Sequence, residues 1–354
     1  MICNSNTFET KTKEGRKLLK KGEDDSAVKS YLQAFETNQD LFSSYPYLDK
    51  AISNILQSPT NTHYIDWKAI FQPESSDDLK TVDLLEKITK IGFLGKEGST
   101  IDPLNHFFIH HELKLIYCSI PKNACTLFKE MLVKNSYLKK KYQKEKLSVH
   151  DFLGDLRCER KIEELITSFE NEAYTKFVIL RNPFNRVVSA YLNKVITFNR
   201  ITPYVKKMLK SVYKSSQVNQ KILEERISFE QYVEYLCKTE DFELNVHFRP
   251  QHCFMGNIEY DLVGRFESIN FILDKLQEKF KLDIERKKTS NCINYQKDRD
   301  ERNMAFHKMN RKQLLSLTGL PKMEQLYTDK LKSMIEKRYF KDVKMYENSF
   351  NIKL

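Results

Sequence analysis

Two short stretches have the residue types and spacing needed to hold an anionic ligand. In the first, SIPKNACT at residues 119–126, Lys122 stands between a short apolar run and an amphipathic pattern that begins near Cys125. Backbone N–H groups at the start of a helix are unpaired and bind anions well, and Lys122 and Thr126 add a positive charge and a hydroxyl donor. The glycines of the triphosphate loop GxxxxGK[ST] are missing, which disfavours a nucleoside triphosphatase.

The second stretch lies at the end of the apolar run KFVIL. Arg181 directly follows this run. Seven residues separate it from Ser189, which lies about two turns into a predicted helix. An arginine fork suits a phosphate dianion, a serine hydroxyl can complete its shell, and Arg186 is a candidate auxiliary. Two such sites on neighbouring strands could hold one ligand with two separated charges, such as a nucleotide phosphorylated at both 5′ and 3′ positions.

The elements that must position these residues alternate between strands and helices. FFIHHELKLIYCSI predicts two short strands, and KFVILRNPF predicts a strand that ends at Arg181. NPFNRVVSAYLNKV has helical periodicity, with Pro183 near the first turn, and DLVGRFE predicts a further strand before the helix SINFILDKLQEKF. This alternation predicts an α/β fold with a parallel sheet flanked by helices. Sites in such sheets lie at the carboxyl ends of the strands.

With these motifs in view, the chain resembles a known family. IYCSIPKNACT resembles the 5′-phosphosulfate loop of sulfotransferases, and FVILRNPFNRVVSAYLNKV resembles their 3′-phosphate motif. SFEQYVEYL, VHFRPQHCF, YDLVGRFESI and KRYFKDVKMYENSF follow in the order seen in Golgi carbohydrate sulfotransferases that act on chondroitin and related glycans. The resemblance implies a P-loop-like sulfotransferase fold that uses 3′-phosphoadenosine-5′-phosphosulfate (PAPS) as sulfuryl donor, without a metal.

The resemblance also assigns roles to individual residues. Lys122 would stabilise the charge that grows on the leaving 5′-phosphate, as positioned positive charge does in phosphoryl transfer. Small residues beside it would let the cofactor approach the backbone. The expected cofactor-binding residues are Pro121, Lys122, Asn123, Ala124, Cys125, Thr126, Arg181 and Ser189.

The acceptor hydroxyl must lose a proton, so a base is required. His150, 28 positions after Lys122, is the first candidate, His247 in NVHFRPQ is the second, and Glu145 is a distant third. The expected catalytic set is therefore Lys122, His150 and His247. We expect a carbohydrate acceptor, with a lipid, a small alcohol or a protein tyrosine as the alternatives, and Arg249 and Gln251 are candidates to line its groove.

The N-terminal part differs in character from the rest. Gly15, Ala27, Tyr31 and Ala34 have tetratricopeptide-like spacing, which predicts either one such repeat or an ordinary helical hairpin within a small all-α region over residues 1–95. The linker GKEGSTIDPLN follows, and the sulfotransferase domain is predicted over residues 104–354. The N-terminal helices are a candidate surface for a protein partner.

Composition narrows the remaining possibilities. Hydrophobic residues make up 40% of the chain, which is enough for a core. Seven cysteines without a CxxC pair indicate reduced thiols and disfavour a zinc site. The sequence has neither a signal-peptide pattern nor a long apolar run, so we expect a cytoplasmic protein without a membrane span.

The net charge of +11 leaves two other functions to consider. Nucleic-acid binding has no support beyond the charge, because the chain lacks an aromatic and basic recognition motif. The main alternative to an enzyme is a catalytically inactive adaptor that binds a nucleotide through a sulfotransferase-like domain.

Overall fold

The computed structural model describes Glu14, residues 83–92 except 85 and 89, and residues 102–145, 147–157, 162–284 and 304–354. These residues form two compact units. The first contains the described residues up to Ser119 together with Lys129–Val178 and Cys253–Val263. The second contains Ile120–Phe128, Ile179–His252 and Gly264–Leu354.

A four-stranded sheet has the strand order β1-β2-β3-β4. The strands are β1 (Phe107–His110), β2 (Leu115–Cys118), β3 (Thr175–Leu180) and β4 (Leu262–Arg265). β2 and β3 are parallel, as predicted, but β1 pairs with β2 in the antiparallel sense. The predicted α/β fold is confirmed, and its sheet is mixed, because the short turn HELK between β1 and β2 can join only antiparallel neighbours.

Helices connect and flank these strands. Their bounds, in chain order from α1 to α12, are Cys125–Lys134, Lys139–Glu145, Val149–Arg157, Ile162–Glu170, Pro183–Ala190, Pro203–Val212, Gln220–Glu225, Phe229–Lys238, Ile269–Phe280, Arg311–Leu315, Asp329–Arg338 and Phe340–Phe350. A π-helix, Tyr191–Thr197, continues directly from α5. Helix α12 covers most of the C-terminal motif KRYFKDVKMYENSF, and Tyr339 separates it from α11.

Aromatic pairs organise the core of the first unit. Phe107 on β1 meets Phe169 of α4 edge to face, with ring centroids 4.9 Å apart. Tyr117 and Phe177 occupy directly paired positions on β2 and β3, and their rings stack at 4.6 Å. Such pairs stabilise a sheet beyond the apolar area that they bury. They fix the register of the strands that lead into the predicted site.

The core of the second unit contains residues of the π-helix and of the helices that precede and follow it in the chain. Tyr191, Phe229 and Tyr232 are fully buried there and contact one another. Gly264 on β4 permits a close approach of α9, because a Cβ at this position would lie 2.6 Å from Ile179 Cδ1 and 2.9 Å from Ile272 Cγ1. A glycine inside a strand often marks such close contact.

The tetratricopeptide-like pattern falls on residues outside the described part of the chain. The described residues after it belong to the first unit, where Leu84 and Ile88 are buried. The carbonyl of Ile91 accepts a hydrogen bond of 2.6 Å from the backbone N–H of Asn257. The end of the predicted all-α region thus packs on residues of the sulfotransferase region.

A membrane-crossing helix would need a long apolar stretch. Among the residues that the structure describes, no helix is both long and apolar enough to meet this requirement.

Candidate active site

The first anion turn, residues 119–126, has an unusual backbone. Lys122 and Ala124 both have positive φ angles, 73° and 58°, although neither is glycine. Left-handed conformations are uncommon for such residues and persist where surrounding contacts impose them. Alternation of this kind turns successive N–H groups into an anion-binding concavity. The backbone of this turn is therefore compatible with anion binding, although the turn contains no glycine.

Asn123 holds this turn in place. Its fully buried side chain donates from Nδ2 to the carbonyl of Ile179 on β3 at 2.7 Å and to Oε1 of Gln251 at 2.6 Å. Helix α1 begins at Cys125, where the amphipathic pattern of the sequence also begins. Because Asn123 faces the protein interior, its side chain is a support for the turn rather than a ligand-facing group.

The second anion turn, residues 181–189, directly follows β3. Asn182 caps α5 by accepting hydrogen bonds from the N–H groups of Phe184 and Asn185, and Pro183 occupies the first turn, as predicted. Ser189 lies on α5 and is buried. This local structure follows from the sequence Asn-Pro after an apolar strand.

The side chain of Arg181 brings the two turns together. Its Nη1 donates to the carbonyl of Lys122 at 2.9 Å. Its guanidinium carbon lies 4.2 Å from the ring centroid of Phe266, which supports the flat side chain from a second direction. The structure therefore joins Lys122 and Arg181, the two cations that sequence reasoning assigned to separate phosphates.

Arg186 has a different role from the auxiliary phosphate ligand that we expected. It is almost fully buried, and it donates from Nε to the carbonyl of Pro121 at 3.0 Å and from Nη1 to the carbonyl of Arg249 at 2.8 Å. Its fork ties two backbone segments together instead of facing a ligand.

The electrostatics of the site centre on Lys122. Its Nζ donates to Oδ1 of Asn193 at 3.0 Å. Burial, reinforced by the nearby charges of Arg181 and Lys194, lowers the pKa of Lys122 to about 7. Burial also lowers the pKa of Lys194. Cations whose pKa values are lowered by burial and by neighbouring positive charge are stabilised by a bound anion.

The π-helix supplies Asn193 and Lys194, and sequence reasoning missed both. Its last carbonyls are satisfied from outside, since Arg226 donates to Val195 and Arg311 Nε donates to Ile196 at 2.8 Å. Segments of π-helix are frequent at functional sites. The sequence did contain a signal for these two residues, because the pair Asn-Lys lies one turn beyond Ser189 in a motif with several cationic residues.

Gln251 and Arg249 do not line a groove, and this expectation was wrong. Gln251 is fully buried and Arg249 is 6% exposed. Arg249 donates from Nε to the carbonyl of Asp241 at 3.3 Å, while Gln251 contacts Asn123 and Arg181. Both residues are part of the framework beneath the anion turns.

The candidate bases lie in different units. His150 is on α3 in the first unit, and its Nδ1 accepts a hydrogen bond of 3.4 Å from Nζ of the buried Lys129. His247 belongs to the second unit, with Lys122 and Arg181. Its Nδ1 donates to Oδ1 of Asn245 at 2.7 Å.

Two further details concern the surroundings of these bases. The ring of His247 stacks on Tyr204, with centroids 6.1 Å apart. The third candidate base, Glu145, is exposed at the end of α2 and lies 3.9 Å from Lys141.

Sequence comparison identifies related proteins. The profile of the Sulfotransferase family matches residues 105–349. Carbohydrate sulfotransferase 14 of Danio rerio is 29% identical over 189 residues, which cover 49% of this chain and 48% of the relative. Carbohydrate sulfotransferase 11 of Rattus norvegicus is 28% identical over 191 residues, which cover 49% of this chain and 53% of the relative.

A longer match is to carbohydrate sulfotransferase 12 of Xenopus laevis, which is 26% identical over 249 residues and 59% of each chain. The chain thus spans about half to three fifths of the length of these relatives. No solved structure matches the chain. Since the family profile covers more than two thirds of the sequence and both anion turns lie within it, the chain belongs to the sulfotransferase family.

Proposed function

We propose that this protein transfers a sulfuryl group from PAPS to a hydroxyl group of a carbohydrate. One observation carries this proposal beyond family membership: the hydrogen bond from Arg181 Nη1 to the carbonyl of Lys122 joins the two anion turns into one site. The carbohydrate acceptor is inferred from the relatives, which are carbohydrate sulfotransferases.

The residues present fit a nucleotide with two phosphates. The first anion turn offers backbone N–H groups in a positive-φ concavity, and Lys122 stands within it. The second offers the Arg181 fork and the hydroxyl of Ser189. When bound, PAPS supplies the sulfuryl group and a 5′-phosphate that accepts negative charge as the group departs.

The chain's own residues have distinct tasks in this scheme. Lys122 holds a proton close to the leaving 5′-phosphate oxygen, where positive charge is needed most in the transition state. Arg181 and Ser189 hold the 3′-phosphate and so orient the nucleotide. Asn193 accepts a hydrogen bond from Lys122 and steadies its amine before the nucleotide arrives. His150 or His247 accepts the proton of the acceptor hydroxyl.

Transfer of labelled sulfur from PAPS tests this function directly. The full chain is incubated with PAPS and separate panels of neutral oligosaccharides, acidic oligosaccharides, simple alcohols and tyrosine peptides. We expect label in an oligosaccharide and little label with Lys122→Ala. Label confined to alcohols or peptides would overturn the carbohydrate assignment. Nucleotide binding without transfer to any panel would instead favour the inactive adaptor.

A further inference from the structure

One buried amide contacts both anion turns. Oε1 of Gln251 accepts hydrogen bonds from Nδ2 of Asn123 at 2.6 Å and from the N–H of Arg181 at 3.0 Å, and its Nε2 donates to the carbonyl of Arg181 at 2.9 Å. A primary amide offers two acceptor and two donor positions. Three of the four are used here on the two turns, so Gln251 fixes the distance between them.

Asp342 of helix α12 holds the backbone of Gln251 in place. Its carboxylate is fully buried, and Oδ2 accepts a hydrogen bond of 2.6 Å from the backbone N–H of Gln251. Oδ1 accepts from the backbone N–H of His252 at 2.9 Å and from its Nδ1 at 2.8 Å. Hydrogen bonds to an ionised carboxylate are stronger than neutral ones. The position of Gln251 is thus imposed by the C-terminal helix.

The C-terminal helices contact the same segment at a second point. The hydroxyl of Tyr339 donates to the carbonyl of Phe248 at 2.6 Å, and both residues are buried. The segment 248–252 is therefore anchored at its two ends. Because the backbone on both sides of Gln251 is anchored, its side chain can hold the two anion turns at a fixed separation.

We propose that Gln251 is a positioning residue that sets the separation of the two anion turns, and that Asp342 keeps it in register. The inference rests on the proposed function, since it needs a ligand that occupies both turns. A ligand with two charged groups gains affinity from both subsites only when their separation matches its own. Gln251 therefore selects nucleotides phosphorylated at both 5′ and 3′ positions over nucleotides with one phosphate.

Calorimetric titration of the full chain tests this selection. Adenosine 3′,5′-bisphosphate, adenosine 5′-monophosphate and adenosine 3′-monophosphate are the three probes. Wild type should bind the bisphosphate more tightly than either monophosphate. Gln251→Leu should reduce this preference by about tenfold or more, because it removes the three hydrogen bonds through which Gln251 connects Asn123 to Arg181. The monophosphate dissociation constants should change by less than about threefold, because each turn keeps its own ligands.

Two further variants separate positioning from general loss of stability. Tyr191→Phe removes one buried hydrogen bond, from the tyrosine hydroxyl to the carbonyl of Ile227 at 3.0 Å, without touching either turn. It should lower the urea midpoint and leave the bisphosphate preference unchanged. Asp342→Asn keeps the shape of the anchor but weakens its hold on Gln251, and it should lower the preference in the same direction even if Gln251→Leu does not fold.

These measurements can reject the positioning role of Gln251 without rejecting the proposed sulfotransferase function. A folded Gln251→Leu or Asp342→Asn variant with the wild-type preference overturns the inference and leaves the proposed function intact. An equal loss of preference in Tyr191→Phe also overturns it, because the effect then follows stability alone. Failure of wild type to bind the bisphosphate overturns the proposed function and the inference together.

Discussion

At the scale of single residues, the site is dominated by a lysine that is easily deprotonated. Lys122 donates to Asn193 in a largely desolvated position beside Arg181 and Lys194, and its pKa falls from 10.5 to about 7. A lysine in this state can respond to the charge of its ligand, since a bound phosphate dianion favours the protonated form. At neutral pH the residue is therefore suited to gain its full charge when an anionic ligand binds.

Nucleotide affinity should depend on pH through this lysine. As the pH rises above about 7, free Lys122 loses its proton, so the affinity for adenosine 3′,5′-bisphosphate should fall between pH 7 and pH 9. Lys122→Met should bind more weakly at pH 7 and show a flatter profile. Calorimetry across this range measures both curves. Parallel profiles for the two proteins would contradict a role for Lys122 titration.

The lowered pKa of Lys122 also affects the stability of the ligand-free protein, which should rise with pH while the nucleotide affinity falls. Lys122 titrates near pH 7 in the folded protein and near 10.5 in the unfolded chain, so the unfolded chain binds more protons between these values. The cost of burying the charged amine is thus fully present below pH 7 and is lost as the pH rises. Lys122→Met should accordingly stabilise the ligand-free protein most below pH 7, with an advantage that shrinks towards pH 10.

Replacement of each histidine should identify the general base. We expect His150→Ala to abolish transfer to an unactivated hydroxyl while nucleotide binding stays near normal, since loss of a general base typically costs about 10²–10⁴-fold in rate. His247→Ala is the matched variant. An inactive His247→Ala protein beside an active His150→Ala protein would transfer the role to His247. Full activity in both would mean that neither histidine is the base.

At the scale of secondary structure, the C-terminal helix contributes an anchor for the site. The fully buried carboxylate of Asp342 accepts three hydrogen bonds from Gln251 and His252. Burial opposes its ionisation, but the interactions with His252 and the backbone N–H group of Gln251 together hold its pKa below the ordinary value of 3.8. A carboxylate of this kind stabilises the fold in its ionised form.

Asp342→Asn should lower the free energy of unfolding at pH 7 by about 1–3 kcal/mol, because an amide group leaves one buried donor facing another. Asp329→Asn on the exposed first turn of α11 is the control and should cost less than about 1 kcal/mol. Urea denaturation measures both. The effect of Asp342→Asn should be full above the ordinary carboxyl pKa and should fade as the pH falls through the lower folded value. A pH-independent difference would contradict this account.

The sequence predicted the local elements of the site better than their connections. Pro183 and the apolar run before Arg181 predict the strand and helix around the second turn, because capping and burial are local properties. The π-helix that carries Asn193 was missed, because one extra residue in a helical turn leaves the apolar pattern almost unchanged. Gln251 was misassigned to a groove, because its contacts with Asn123 and Arg181 span 128 and 70 positions of the chain.

At the scale of the whole molecule, the boundary between the N-terminal region and the sulfotransferase domain is less sharp than the linker composition indicated. The family profile begins at residue 105, near the predicted start at 104. Yet Leu84 and Ile88 are buried, and Ile91 bonds to Asn257. The described residues before the linker are therefore structural neighbours of the domain.

Two truncations should differ for this reason. Deletion of residues 1–95 removes Leu84 and Ile88, and each fully buried side chain of this type is worth about 1.5–3 kcal/mol. Deletion of residues 1–81 keeps them. We expect the shorter deletion to give the higher melting temperature and both folded products to bind the bisphosphate, since both anion turns remain. Loss of nucleotide binding from a folded product of either deletion would contradict this division of the chain.

The most direct test of the central claim is calorimetric binding of adenosine 3′,5′-bisphosphate to wild type, Arg181→Ala and Ser189→Ala, with melting temperatures measured alongside. We predict saturable binding and a raised melting temperature for wild type. Arg181→Ala should lose more affinity than Ser189→Ala, because a charged hydrogen bond contributes about 1.5–3 kcal/mol and a neutral one about 1. Folded wild-type protein with no thermal shift at millimolar nucleotide, or an Arg181→Ala variant that binds as tightly as wild type, would contradict it.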